Sequence, residues 1–166
     1  MIALSALLAG CAPSPAPTPT PTGFASEEEA FAAAEATYRA YVDALNEVDL
    51  ADPATFEPVY ALTSGELNDL DRKSFSEMHA SGTLVSGRTE VLSIEGSQVS
   101  DDSITLDVCT DVSDVHVVDA DGNSLVSDDR KDLQSTRVSV AQVDELLALT
   151  KIEPRAEDEP CASPRP

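Results

Sequence analysis

The spacing of apolar residues changes character once, near Gly82, and that change restricts the fold more than any other feature of the chain. Before it, Phe31, Ala34, Tyr38, Tyr41, Val42 and Leu45 recur at intervals of three and four. Such intervals lay one apolar stripe along a helix of about 20 residues. Ser26 and Glu29 form a capping box at its start, and Glu27, Glu28 and Glu29 put negative charge at the positive end of the helix dipole. The helix is expected to end near Asn46. Asp52-Pro53 then opens a shorter helix, with Asp as cap and Pro at the first helical position, and Pro58 limits its length. Thr63 and Glu66 suggest another capping box. The third helix behind it shows a face of Leu67, Leu70, Ser74 and Met78 and ends near Gly82.

After Gly82 the period drops to two. Leu92 and Ile94 belong to one strand, and Ser100-Asp101-Asp102-Ser103 turns it back. Ile104, Leu106 and Val108 alternate with Thr105, Asp107 and Cys109, the pattern of a half-buried strand. Val115 to Val118 continues or repeats that strand, with a hairpin turn at Ala120-Asp121-Gly122-Asn123. Thr136 to Val143 turns at Asp144-Glu145 into Leu147 to Ile152. Helices first and an antiparallel meander afterwards predict an α+β domain, with N-terminal helices packed on a curved antiparallel sheet.

A chain of 166 residues holds one such domain and not two. Aromatics supply 4% of it and Trp none, so the core must be built from Leu, Val, Ile and Ala. The 31 acidic residues against 10 basic ones leave a formal net charge of -21. Phosphate backbones and anionic headgroups repel such a surface, which argues against nucleic-acid binding and excludes membrane binding through a basic patch.

The N-terminus reads as an address. Ile2 to Gly10 is uncharged and apolar or small, too short to span a bilayer, which takes about 20 helical residues. It matches the apolar part of a secretory signal. Leu8-Ala9-Gly10-Cys11 resembles the lipobox of bacterial lipoprotein precursors, in which small residues admit the peptide to a peptidase and the cysteine thiol accepts a diacylglycerol. A basic start is missing, so the true start is expected upstream of Met1, or the segment has been trimmed. Five prolines alternate through residues 12–22, which bars helix and central strand. They favour an extended polyproline spacer of about 30–35 Å. The expected organisation is a truncated signal segment over 1–10, a lipidation cysteine and Pro/Thr-rich disordered tether over 11–23, one α+β domain over 24–161, and a disordered tail over 162–166. The chain would then sit lipid-anchored on the outer face of the cytoplasmic membrane.

With Cys11 lipidated, Cys109 and Cys161 remain, exported and without zinc-type spacing, and a disulfide between them is expected. The order of elements resembles the cone-shaped fold of the nuclear-transport-factor-two-like superfamily. Within it the chain is similar to small actinobacterial lipoproteins that carry this domain behind a Pro/Thr tether. The passages that carry the likeness are Tyr38 to Asn46, Asp111 to Asp119 and Val143 to Leu149. The resemblance implies a cone whose concave side hosts enzymes, binders or dimerisation modules alike, and dimers formed through the sheet.

Two histidines could do chemistry. Some cone-fold enzymes pair a His with an Asp at the cone mouth to move a proton beside a carbonyl, and His79 or His116 could serve so. The plainer readings are a helix-terminal dipole partner for His79 and a surface strand residue for His116. Asp119, Asp121 and Asn123 are similar to a calcium loop, but Gly122 stands fourth and Arg130 occupies the twelfth position, so a hairpin turn explains them better. No metal, cofactor, phosphate loop or serine-hydrolase frame is called for. The expected function is a non-catalytic domain that binds a small molecule or a protein, with a homodimer also open. The alternative is a small isomerase or dehydratase using a His/carboxylate pair in the cone.

Overall fold

The structure, a computed structural model, describes residues 23–155 and 161. The signal segment, Cys11, the tether up to Thr22 and the 162–166 tail lie outside the described residues. Helix α1 spans Glu27–Asn46, and the capping box closes it: the Glu29 amide donates to the Ser26 hydroxyl at 3.2 Å. A 3-10 turn at Pro53–Phe56, capped by Asp52, runs straight into α2 (Glu57–Tyr60). Pro58 therefore starts α2 instead of limiting the helix before it, because its missing N–H falls in the first turn.

Helix α3 (Gly65–Ser81) ends at Gly82 in the left-handed conformation (φ 69°). Its start departs from expectation. Ser64 is the N-cap without a side-chain bond, while the Thr63 hydroxyl turns back to the Val59 carbonyl at 3.4 Å. Its buried face is Leu67 and Phe75, whereas Leu70 is 56% exposed. Among the described residues, no helix is long and apolar enough to cross a membrane.

Strands β1 (Leu84–Ser86), β2 (Glu90–Val99), β3 (Ile104–Asp111), β4 (His116–Val118), β5 (Leu133–Val143) and β6 (Leu146–Pro154) follow. The main sheet is an antiparallel meander in the order β2-β3-β5-β6. Val115 to Val118 neither extends nor repeats it: β4 pairs with β1 in a separate two-stranded sheet. The Arg130 guanidinium fixes this departure by donating to the Val112 and Val115 carbonyls at 2.9 and 3.0 Å. Gly87 (φ 86°) fixes it from the other side, since a Cβ there would stand 1.7 Å from the Asp114 carbonyl oxygen.

Register places Ile104 opposite Val140, Leu106 opposite Val138, and Val140 opposite Leu149. All of these are buried and face α1, whose Ala30 and Ala34 let the helix lie close to the sheet. Register shifts in β2, and between Ser139 and Val140 where β5 meets β6, curve the sheet around its helices. One of them puts Leu92 on the outside, 36% exposed, while Val91 and Ile94 pack against the core. The β5–β6 hairpin turns on Asp144 and Glu145, both at positive φ without glycine. The outer edge of β6 is covered by Leu62 to Ser64, which exchange backbone bonds with Leu149 at 2.9 and 2.8 Å. The result is an α+β roll with helices on its concave side.

Candidate functional site

The end of α1, the loop behind it, α3 and the small sheet do not close completely on one another. Between them lies a cavity of about 210 Å³, lined by Leu45, Val48 and Leu50 on one side and Phe75, Met78, Val85 and Val115 on the other. Val85 is 44% exposed and marks the mouth. Asn46 and Thr89 supply the polar part of the wall. They spend it on each other: the Asn46 amide donates to the Thr89 carbonyl at 3.0 Å and accepts from the Thr89 amide at 2.8 Å. Among the described residues, no ionisable side chain lines the cavity.

His79 lies outside it and holds it together. Its ring Nδ1 is 2.6 Å from the Leu50 carbonyl oxygen, and its ring meets Phe56 edge-on at 6.5 Å. It is exposed, at the last turn of α3, and pins the loop that carries Leu50 against that helix. His116 is exposed on β4, opposite Ser86. Neither histidine enters the concave side. The Asp119 carboxylate is occupied by its own turn, accepting from the Asp121 and Asn123 amides and from the Asn123 side chain at 2.8 to 2.9 Å. Those bonds, the Asn123 side chain first, hold its carboxyl below the usual range. Among the described residues, no group of three His, Cys, Asp or Glu side chains could hold a metal ion.

The group that sequence reasoning missed is Asp71. It stands on the apolar face of α3, four residues from Leu67 and four from Phe75, a spacing that was visible in the sequence. Its Oδ2 is buried without a hydrogen-bond partner. Burial raises its carboxyl to about 6. The nearby Tyr41 hydroxyl is pushed up as well, by burial first and then by the Asp71 charge. Burial also raises Tyr38, to about 12, against a bond to Thr136 that pulls it down. Asp71 can thus hold or release a proton near neutral pH, but it is not among the residues that line the cavity. The protonatable group and the open space are in different places.

This arrangement sets a stability test. Unfolded, Asp71 titrates near 3.8; folded, near 6. Between those values the folded state holds the extra proton, so stability falls as pH rises through this window and is level above it. Asp71→Asn removes that loss. Chemical denaturation is expected to show the variant about 1 kcal/mol more stable at pH 7, a figure discounted for the group's partial exposure. The gain should vanish below pH of about 4.

The outer face of the sheet is polar and partly covered. Cys109 and Cys161 form a disulfide across 52 residues, as expected from the cysteine count. Beside it Asp107 receives Arg137 at 2.9 Å and Arg155 at 3.4 Å. The large exposed apolar side chains of the main sheet sit at its margins: Leu92 on the edge strand and Leu146 at a hairpin.

No family model matches the chain, and no curated protein does. Solved structures do. A Novosphingobium aromaticivorans protein provisionally described as an aromatic ring hydroxylase superposes with a TM-score of 0.50 at 12% identity, over 73% of this chain and 84% of that one. Aln2 from a Streptomyces species gives a TM-score of 0.45 at 14% identity, over 83% of this chain and 94% of that one. The first likeness is one of fold: the cone-shaped α+β roll.

Proposed function

We propose that this chain is a lipid-anchored binding domain on the outer face of the cytoplasmic membrane, of the kind carried by small actinobacterial lipoproteins, and that it takes its ligand in the apolar cavity without transforming it. The observation that carries the binding half is the cavity itself: open at Val85, walled by Leu, Val, Phe and Met, and without a titratable group among the described residues. With both histidines on the exterior, the isomerase reading would have to run on Asp71, whose charge acts on Tyr41 and which does not line the cavity. The polar outer face of the sheet supports a monomer over a sheet-mediated homodimer.

The address half rests on Leu8-Ala9-Gly10-Cys11 and the proline spacer behind it. The Cys109–Cys161 disulfide supports it, because such bonds persist outside the reducing cytosol. Mass spectrometry of the protein made in an actinobacterial host is expected to find a diacylglycerol on Cys11 as the N-terminal residue. The Cys11→Ala variant should leave the membrane fraction. An unmodified Cys11 in an intact chain would overturn the anchor.

A further inference from the structure

We infer that the cavity selects an uncharged, ring-sized apolar ligand, an inference that rests on the binding reading above and adds the ligand's chemical class to it. Size comes first. At about 210 Å³ the space is somewhat larger than the roughly 150 Å³ apolar cavity known to hold benzene. It therefore fits one six-membered ring with a small substituent, or an alkyl chain of similar bulk, and not a fused polycycle.

Charge comes second. A charged ligand entering the cavity would lose its hydration and find no counter-charge on the wall. The Asn46 side-chain amide is already committed to the Thr89 backbone, and a hydroxyl such as that of Thr89 cannot neutralise a full charge. Arg88, between Gly87 and Thr89 in the chain, is not among the lining residues and is paired with Glu47 at 3.1 Å. A formal net charge of -21 disfavours the approach of anions further. An ammonium group inside the cavity would be as poorly served as a carboxylate, since among the described residues neither Asp71 nor any other carboxyl lines it.

The wall is also suited to rings. Phe75 packs against Phe56 at 5.2 Å and Tyr60 at 5.9 Å between ring centroids, so it presents a braced aromatic surface. Met78, also on the wall, offers a polarizable, adaptable thioether.

The test uses the full chain and three probes that share one ring: toluene, benzoate and benzylamine, each titrated at pH 7 while the melting temperature and the heat of binding are recorded. Toluene should bind saturably and raise the melting temperature, and the two charged probes should bind about tenfold more weakly or worse. Val85→Trp, at the exposed mouth, should abolish toluene binding without altering the melting temperature of the free protein. Leu84→Trp, on the opposite face of the same strand, should leave binding intact. If benzoate or benzylamine binds as tightly as toluene and Val85→Trp blocks it, the ligand class is overturned and the binding reading stands. If no probe binds, or Val85→Trp leaves toluene binding unchanged, the cavity is not the site and both fall.

Discussion

Phe75→Ala is expected to destabilise the protein by about 3–4 kcal/mol while widening its ligand range. Phe75 is 8% exposed, lies in the core cluster, and also forms a wall of the cavity. Its removal forfeits the transfer free energy of a buried ring and leaves a void that Phe56 and Tyr60 can only partly fill. The void joins an existing open space, so a larger guest can use it. Urea denaturation measures the first effect. The second is read by naphthalene, which should stabilise the variant and leave the wild-type protein unmoved. A variant as stable as the parent would mean that Phe75 does not brace the wall.

Cys161→Ser is expected to cost about 4 kcal/mol in the chain-entropy account of a loop closed across 52 residues. The bond ties the C-terminal segment to the outside of the central strand β3, where Cys109 is buried. Opening it frees that segment but leaves the inner face, built on Leu106, Val108, Val138 and Leu149, untouched. Toluene affinity should therefore survive the loss of stability, since the cavity and the disulfide lie on different sides of the sheet. Denaturation of the wild-type protein with and without reductant, beside the variant, checks this. Equal midpoints would show that the tail contributes nothing.

What could be seen in the sequence was what depends on neighbours along the chain. The capping box at Ser26, the stripe of α1 and the alternation of Ile104, Leu106 and Val108 are local patterns, and each appears where it was expected. Helix α3 was harder to orient because Asp71 interrupts its apolar face. A carboxyl four residues from Leu67 and from Phe75 shifts the apparent stripe onto Leu70, which lies outside. The fate of Val115 to Val118 was not local either. A short apolar strand does not announce its partner, and here Gly87 and Arg130 decide that it meets β1.

The cavity was the least visible of all. The residues that wall it come from α1, α3, β1 and three loops, and none of them breaks its own local pattern. Only their assembly leaves a space. The histidines were conspicuous by their rarity, two in the chain, yet one braces a loop and the other faces solvent.

Met78 is the one methionine among the described residues, and it makes a direct test of the central claim simple. With methionine methyl carbons labelled, Met78 reports from the cavity wall. On titration with toluene the Met78 signal should move under the ring current and saturate at the concentration that saturates the rise in melting temperature. A Met78 signal that stays in place while toluene stabilises the protein would put the ligand elsewhere and contradict the account.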